Sequence, residues 1–188
     1  MGQAGTDRAS GGLMPNDPAQ APLQGALIID AIKQARIDYV LSVPDLHTSN
    51  GLLKPIAQDK ELKLIRTCKE DETLGIAAGL SYGDKRALIL IQWTGFLYAM
   101  NAIRAMACDQ SMPMCMMIGL LGKEPDVPSR QSARFGVRVV EPMLETLGIA
   151  YLRIDKDADV ASIAPAIEQA YAQSKPIAFL IERRPVHA

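Results

Sequence analysis

From residue 22 onward the chain alternates between two patterns: short, nearly unbroken apolar runs, and longer stretches whose apolar positions recur every three or four residues. The first pattern predicts buried strands over 39–43, 87–92, 114–118, 150–154 and 177–181, and the alternation of polar and apolar residues over 62–67 suits a sixth. The second predicts helices over 22–36, 49–58, 71–82, 97–109, 139–147 and 158–174. In the opening helix, Pro22 suits the first turn, and Leu23, Leu27, Ile28, Ala31 and Ile32 line one stripe. Apolar strands separated by helices need cover on both faces. The expected fold is therefore α/β, a three-layer sandwich whose central six-stranded, mainly parallel sheet lies between two helical layers. Ligands of such sheets bind outside the carboxyl ends of the strands. That rule makes 44–48, 68–71, 92–96 and 119–135 the functional rim.

Size and composition add bounds to this picture. With 188 residues, 48% of them hydrophobic, the chain can bury one substantial core, expected over 21–188. Residues 1–20 are rich in Gly, Pro and short polar side chains, lack the apolar centre of a signal peptide, and are expected to form a flexible arm. A net charge of −1 leaves no basic excess for nucleic acid or an anionic membrane. Uncharged apolar runs fall short of the ~18 residues that a transmembrane helix needs. Cys68, Cys108 and Cys115 have neither zinc-site spacing nor an even count, so they read as buried free thiols in a reducing cytoplasm. The methionines at 112, 114, 116 and 117 read as core or subunit interface.

Candidate chemistry concentrates at 66–79, where a strand end meets the acids Glu70, Asp71 and Glu72 and then a helix start built on Gly75, Ala77, Ala78 and Gly79. Acids in a first helical turn are favoured by the helix dipole whatever else they do. The nine-residue interval from Glu70 to Gly79 carries more information. Together with Lys69, the Ala77-Ala78 pair, a strand ending at Gln92, then Thr94-Gly95 and Asn101-Ala102, it resembles the pyrimidine-binding domain of thiamine-diphosphate enzymes. Within them the set is most similar to 2-oxo acid decarboxylases of the sulfopyruvate (α subunit) and phosphonopyruvate type, over roughly 22–184.

That resemblance implies roles for particular residues. Glu70 would be the carboxylate that bonds the cofactor's aminopyrimidine and activates it. Asp45 and His47, in the turn that follows the first strand, would be proton donors near the substrate. Pro44, Gln92, Thr94 and Gly95 would line the cofactor. Trp93 and Tyr98 depart from the relatives' small polar residues, so Trp93, Phe96 and Tyr98 are expected to give the substrate aromatic surface, and Arg134 or Arg138 is expected to bind its carboxylate, sulfonate or phosphonate bidentately. Other readings of the same residues stand beside these. Asp45 could simply shape a turn and Thr48 or Ser49 cap a helix, aromatics at a strand-to-helix junction often just pack, and arginines at four-residue intervals could be a solvated face.

No Gly-Asp-Gly or glycine-rich phosphate loop occurs in the chain. The resemblance therefore implies half of an active site. Thiamine diphosphate and Mg²⁺ would be held with a beta subunit carrying the diphosphate site, no metal would be bound by this chain alone, and the substrate would be a small 2-oxo acid. Sulfopyruvate is the main expectation, with phosphonopyruvate or an aromatic or aliphatic 2-oxo acid as alternatives. A different class, a non-catalytic regulatory α/β subunit, fits the same alternation of strands and helices.

Overall fold

All six expected strands form, and every one of their five pairings is parallel. The computed structural model describes residues 21–187, so the arm expected at 1–20 lies outside the described residues. The strands are β1 (Tyr39–Ser42), β2 (Lys63–Arg66), β3 (Ala87–Gln92), β4 (Cys115–Gly119), β5 (Ala150–Ile154) and β6 (Ile177–Ile181), in the order β2-β1-β3-β4-β6-β5. Successive side chains leave a strand on opposite faces. Val40, Leu88, Leu90, Met117 and Phe179 accordingly point into one core, and Leu41, Ile89, Ile91, Met116 and Leu180 into the other.

The first core is covered by α1 (Gly25–Gln34), α2 (Lys54–Gln58) and α7 (Ile163–Gln173). The second is covered by α3 (Glu70–Tyr82), α4 (Trp93–Tyr98), α5 (Met100–Ile103) and α6 (Phe135–Thr146). Met112, Met114, Met116 and Met117 are all buried, as core residues. Among the described residues no helix is long and apolar enough to cross a membrane.

Three sequence expectations need correction. The first helix begins at Gly25, because residues 23–24 are drawn into pairing with the tail of the chain. The helix expected from 97 starts at Trp93, directly after β3, so the stretch 93–96 is helical. Of the three cysteines only Cys115 is buried; Cys68 is exposed in the turn before α3.

The two ends of the described domain are clasped together. Gln24 and Val186 form an isolated parallel bridge, with Gly25 N–H donating to the Val186 carbonyl (2.8 Å) and Val186 N–H to that of Leu23 (2.9 Å). Arg184 also donates to the Leu46 carbonyl, which ties the tail to the loop after β1.

Candidate active site

Strand order reverses direction between β1 and β3, the position at which a parallel sheet opens a crevice at its carboxyl edge. Three segments reach that edge from here: the turn after β1, the start of α3 and the start of α4.

At the start of α3 the structure separates three acids that composition could not. Glu72 is the cap: its Oε2 accepts from the backbone N–H groups of Cys68 (3.0 Å) and Lys69 (3.3 Å), satisfying orphan donors of the first turn. Asp71 leaves one buried oxygen without a partner. Glu70 is half-buried, and its carboxylate lies on Gly95: a Cβ placed there would fall 2.6 Å from Oε1 and 2.7 Å from Cδ. Among the described residues no donor reaches that carboxylate. A half-buried carboxylate left unpaired at a sheet's carboxyl edge is available to an incoming group.

Gln92 and Thr94 stand beside this pair, with Gln92 Nε2 donating to Thr94 Oγ1 at 2.9 Å and Thr94 exposed. The aromatic residues of the same turn divide by role. Phe96 is fully buried in the second core, so it packs and does not line the rim. Trp93 is a buttress: its ring rests against Gly136, and its Nε1–H donates to the Leu121 carbonyl at 2.9 Å. Tyr98 stays exposed at the far end of α4.

The turn after β1 is built by Asp45. Its Oδ1 accepts from the backbone N–H groups of His47 (2.5 Å) and Thr48 (2.7 Å), and its Oδ2 from the Thr48 hydroxyl (2.6 Å). This geometry makes Asp45 the turn's organiser, and the proton-donor role expected of it is not what its bonds serve. Pro44 is exposed next to it.

His47 is folded inward over Gly119, where its Cδ2 would lie 3.2 Å from a Cβ. Its ring bonds the Ile181 carbonyl, and Nε2 is buried without a partner. Burial lowers its pKa from the usual 6.5 to about 4. At neutral pH the ring is therefore uncharged and offers Nε2 as an acceptor, where the sequence expectation was a proton donor. A histidine whose folded pKa lies below its unfolded value binds protons more readily unfolded, so stability falls as pH drops from 6.5 toward 4. Between pH 6.5 and about 5 the wild type should lose about 1–2 kcal/mol that His47→Gln does not lose, measured by urea denaturation. Equal losses in both proteins would show that His47 titrates normally.

The long segment after β4 is fastened at nearly every step. The Lys123 and Glu182 side chains, only 6% and 9% exposed, pair at 3.2 Å, and the Ser129 hydroxyl also donates to Glu182. Glu124 accepts from the Ser132 hydroxyl (2.7 Å) and Ala133 N–H (3.0 Å). Arg130 and Arg153 each bond Glu141 at 2.8 Å, and the Glu141 side chain is 1% exposed. Burial alone would push the Glu141 carboxyl up, but the two guanidiniums outweigh it and hold it below the usual carboxylate range.

Of the two arginines expected at the substrate, Arg138 donates to the Ser132 (2.7 Å) and Ala133 (3.2 Å) carbonyls and stacks near Phe135, bracing the segment. Arg134 is exposed and spends only its Nε–H, on the Gly122 carbonyl at 3.1 Å. Its Nη groups make no hydrogen bond to another described residue. Sequence reasoning missed Gly119, Glu141, Arg153 and Glu182. An acid at 141 amid Val139, Val140 and Leu144 was the one available signal, since a buried carboxylate demands a cation.

Fold and rim together define a class: a doubly wound parallel α/β subunit that offers an unpaired glutamate at its carboxyl edge, with no His, Cys, Asp or Glu cluster among the described residues able to hold a metal ion. The comparisons name the particular lineage. The chain is 30% identical over 163 residues to the sulfopyruvate decarboxylase alpha subunit of Methanocaldococcus jannaschii, covering 85% of this chain and 94% of that one. It is 27% identical over 158 residues to the alpha subunit of that name from Methanococcus maripaludis, 82% of this chain and 92% of that one. A third, from Methanothermobacter thermautotrophicus, is 26% identical over 100 residues, 53% of this chain and 60% of that one. The chain belongs to the sulfopyruvate decarboxylase alpha-subunit family. No protein-family model matches it.

Proposed function

We propose that this chain is the alpha subunit of a two-subunit decarboxylase that converts sulfopyruvate to sulfoacetaldehyde and CO₂. A beta subunit would carry the diphosphate and Mg²⁺ end of thiamine diphosphate, and this chain its pyrimidine end. One observation carries the reading: Glu70, at the nine-residue interval from Gly79, presents an unpaired carboxylate at the crevice. Its surroundings suit this role, because Gly95 has no side chain and lets the Glu70 side chain lie directly against the start of α4. When bound, thiamine diphosphate supplies an electron sink for the pair left behind as CO₂ departs.

The chain's own residues have narrower tasks. Glu70 holds a proton against a ring nitrogen through a charge-assisted bond, strengthened by the apolar Leu74 and Ala77 of the same helix. Gln92 and Thr94 supply neutral donors and acceptors at the same edge. His47 places a neutral, buried ring against the end of β4 and excludes bulk water there.

A sulfonate or carboxylate at the rim would meet Arg134, whose free donors match such groups in bidentate fashion. Arg134→Ala should raise the KM for sulfopyruvate about tenfold or more and change kcat less, since a bond to a charged group contributes about 1.5–3 kcal/mol. An unchanged KM would remove Arg134 from the substrate site. The whole reading is tested by purifying the chain from its native extract, identifying co-purifying proteins and cofactor by mass spectrometry, and assaying CO₂ release from sulfopyruvate beside phosphonopyruvate and pyruvate. Recovery with a Gly-Asp-Gly-containing partner and thiamine diphosphate is expected. Recovery of this chain alone, without the cofactor, would sink the proposal.

A further inference from the structure

Gly95 contradicts its own local structure. It lies inside the first turn of α4, where alanine is the better helix former, and its backbone does not adopt the left-handed conformation that would call for glycine. What a Cβ at this position would meet is the Glu70 side chain, Cγ nearest, with Oε1 at 2.6 Å and Cδ at 2.7 Å, so the acid would have to shift from its present place. The turn that bears Gly95 is itself anchored. Two residues earlier, Trp93 is wedged against Gly136 at the start of α6 and bonded to the Leu121 carbonyl. The floor beneath the carboxylate is thus fixed to the second helical layer and to the segment after β4.

We infer that Gly95 is a positioning residue: the missing side chain at Gly95, held in place through Trp93, sets the depth at which Glu70 presents its carboxylate to the cofactor. This rests on the reading of Glu70 given above. The contact also makes a prediction about shape, because shortening the acid by one methylene should undo what lengthening the floor by one methyl does.

The test is a double-mutant cycle of Gly95→Ala and Glu70→Asp, with two readouts. The first is the thermal midpoint of the full chain. Gly95→Ala should lower it by several degrees in the wild-type background and by clearly less beside Glu70→Asp. The second is steady-state kinetics of the enzyme assembled with its partner. Gly95→Ala should lower kcat by about 10²-fold with the substrate's KM nearly constant, as a displacement near 1 Å can do. The double variant should then be no slower than Glu70→Asp alone. Equal and additive midpoint losses would overturn the contact. A coupled midpoint with unchanged kcat in Gly95→Ala would overturn the positioning role and leave only packing. If Glu70→Gln retains turnover while the midpoints still couple, the reading of Glu70 fails and the contact survives, so the two failures are distinguishable.

Discussion

Replacing Glu70 by Gln should reduce turnover of the assembled enzyme by about 10²–10⁴-fold, the range that a positioned acid or base contributes, with folding and assembly intact. The amide matches the carboxylate in shape, so the seat on Gly95 is kept. It has lost the charge and the ability to hold a proton. The chain's own architecture draws little on that charge beyond the helix-dipole contribution of about 0.3–1 kcal/mol at the start of α3, because no donor among the described residues is bonded to it. Glu72→Gln is the matched control two residues away. A glutamine there can still accept from the Cys68 and Lys69 N–H groups, so stability should fall slightly and turnover should persist. The outcome that would defeat the assignment is near wild-type kcat for Glu70→Gln, or a greater loss at Glu72 than at Glu70.

The second large effect concerns stability. Changing Arg130 and Arg153 together to Met keeps their aliphatic stems but leaves the Glu141 carboxylate buried with only the Tyr151 hydroxyl, 3.3 Å away. Stripping a buried ion of its partners costs about 3–5 kcal/mol, and the half-exposed guanidiniums place this cluster near 3 kcal/mol. The pH dependence should also change sign. In the wild type the depressed Glu141 pKa contributes stability above the ordinary carboxylate value of 4.5, and this is lost as pH falls through the folded value. In the double variant burial pushes the carboxyl up instead, so acidification toward pH about 5 should recover stability by letting the acid bind a proton. Adding Glu141→Gln should recover it at neutral pH. Urea denaturation of the three proteins decides the matter; a loss under about 1 kcal/mol would mean that water reaches the carboxylate.

The sheet was legible because its central strands β3, β4 and β6 are almost wholly apolar, as strands covered on both faces must be, while the outer strand β2 was read from its alternation of polar and apolar residues. Helix starts were less legible. Trp93 and Phe135 open their helices without a side-chain cap, so nothing at 92 or 134 announces the boundary. At the rim, spacing identified Glu70 and Gly95 but not their contact, which exists only once α3 and α4 lie side by side. Asp45 and Phe96 illustrate the limit most sharply. Both have residue types suited to chemistry, and both are committed to the fold, one by three short hydrogen bonds and the other by complete burial. The Arg130–Glu141–Arg153 cluster joins three successive segments, and its partners meet only once α6 has packed beside β5, which no local pattern encodes.

The clasp between Gln24 and Val186 has a consequence for how the protein is made. Its two halves are separated by almost the full length of the described domain. A nascent chain emerging from the ribosome could form α1 within moments, yet the backbone partners of that helix's entry follow only after all six strands. The same tail brings Arg184 to the loop that bears His47. The candidate rim is thereby completed only once the segment at 184–186 has been made, so a shorter nascent polypeptide exposes an unlatched first helix to chaperones and proteases.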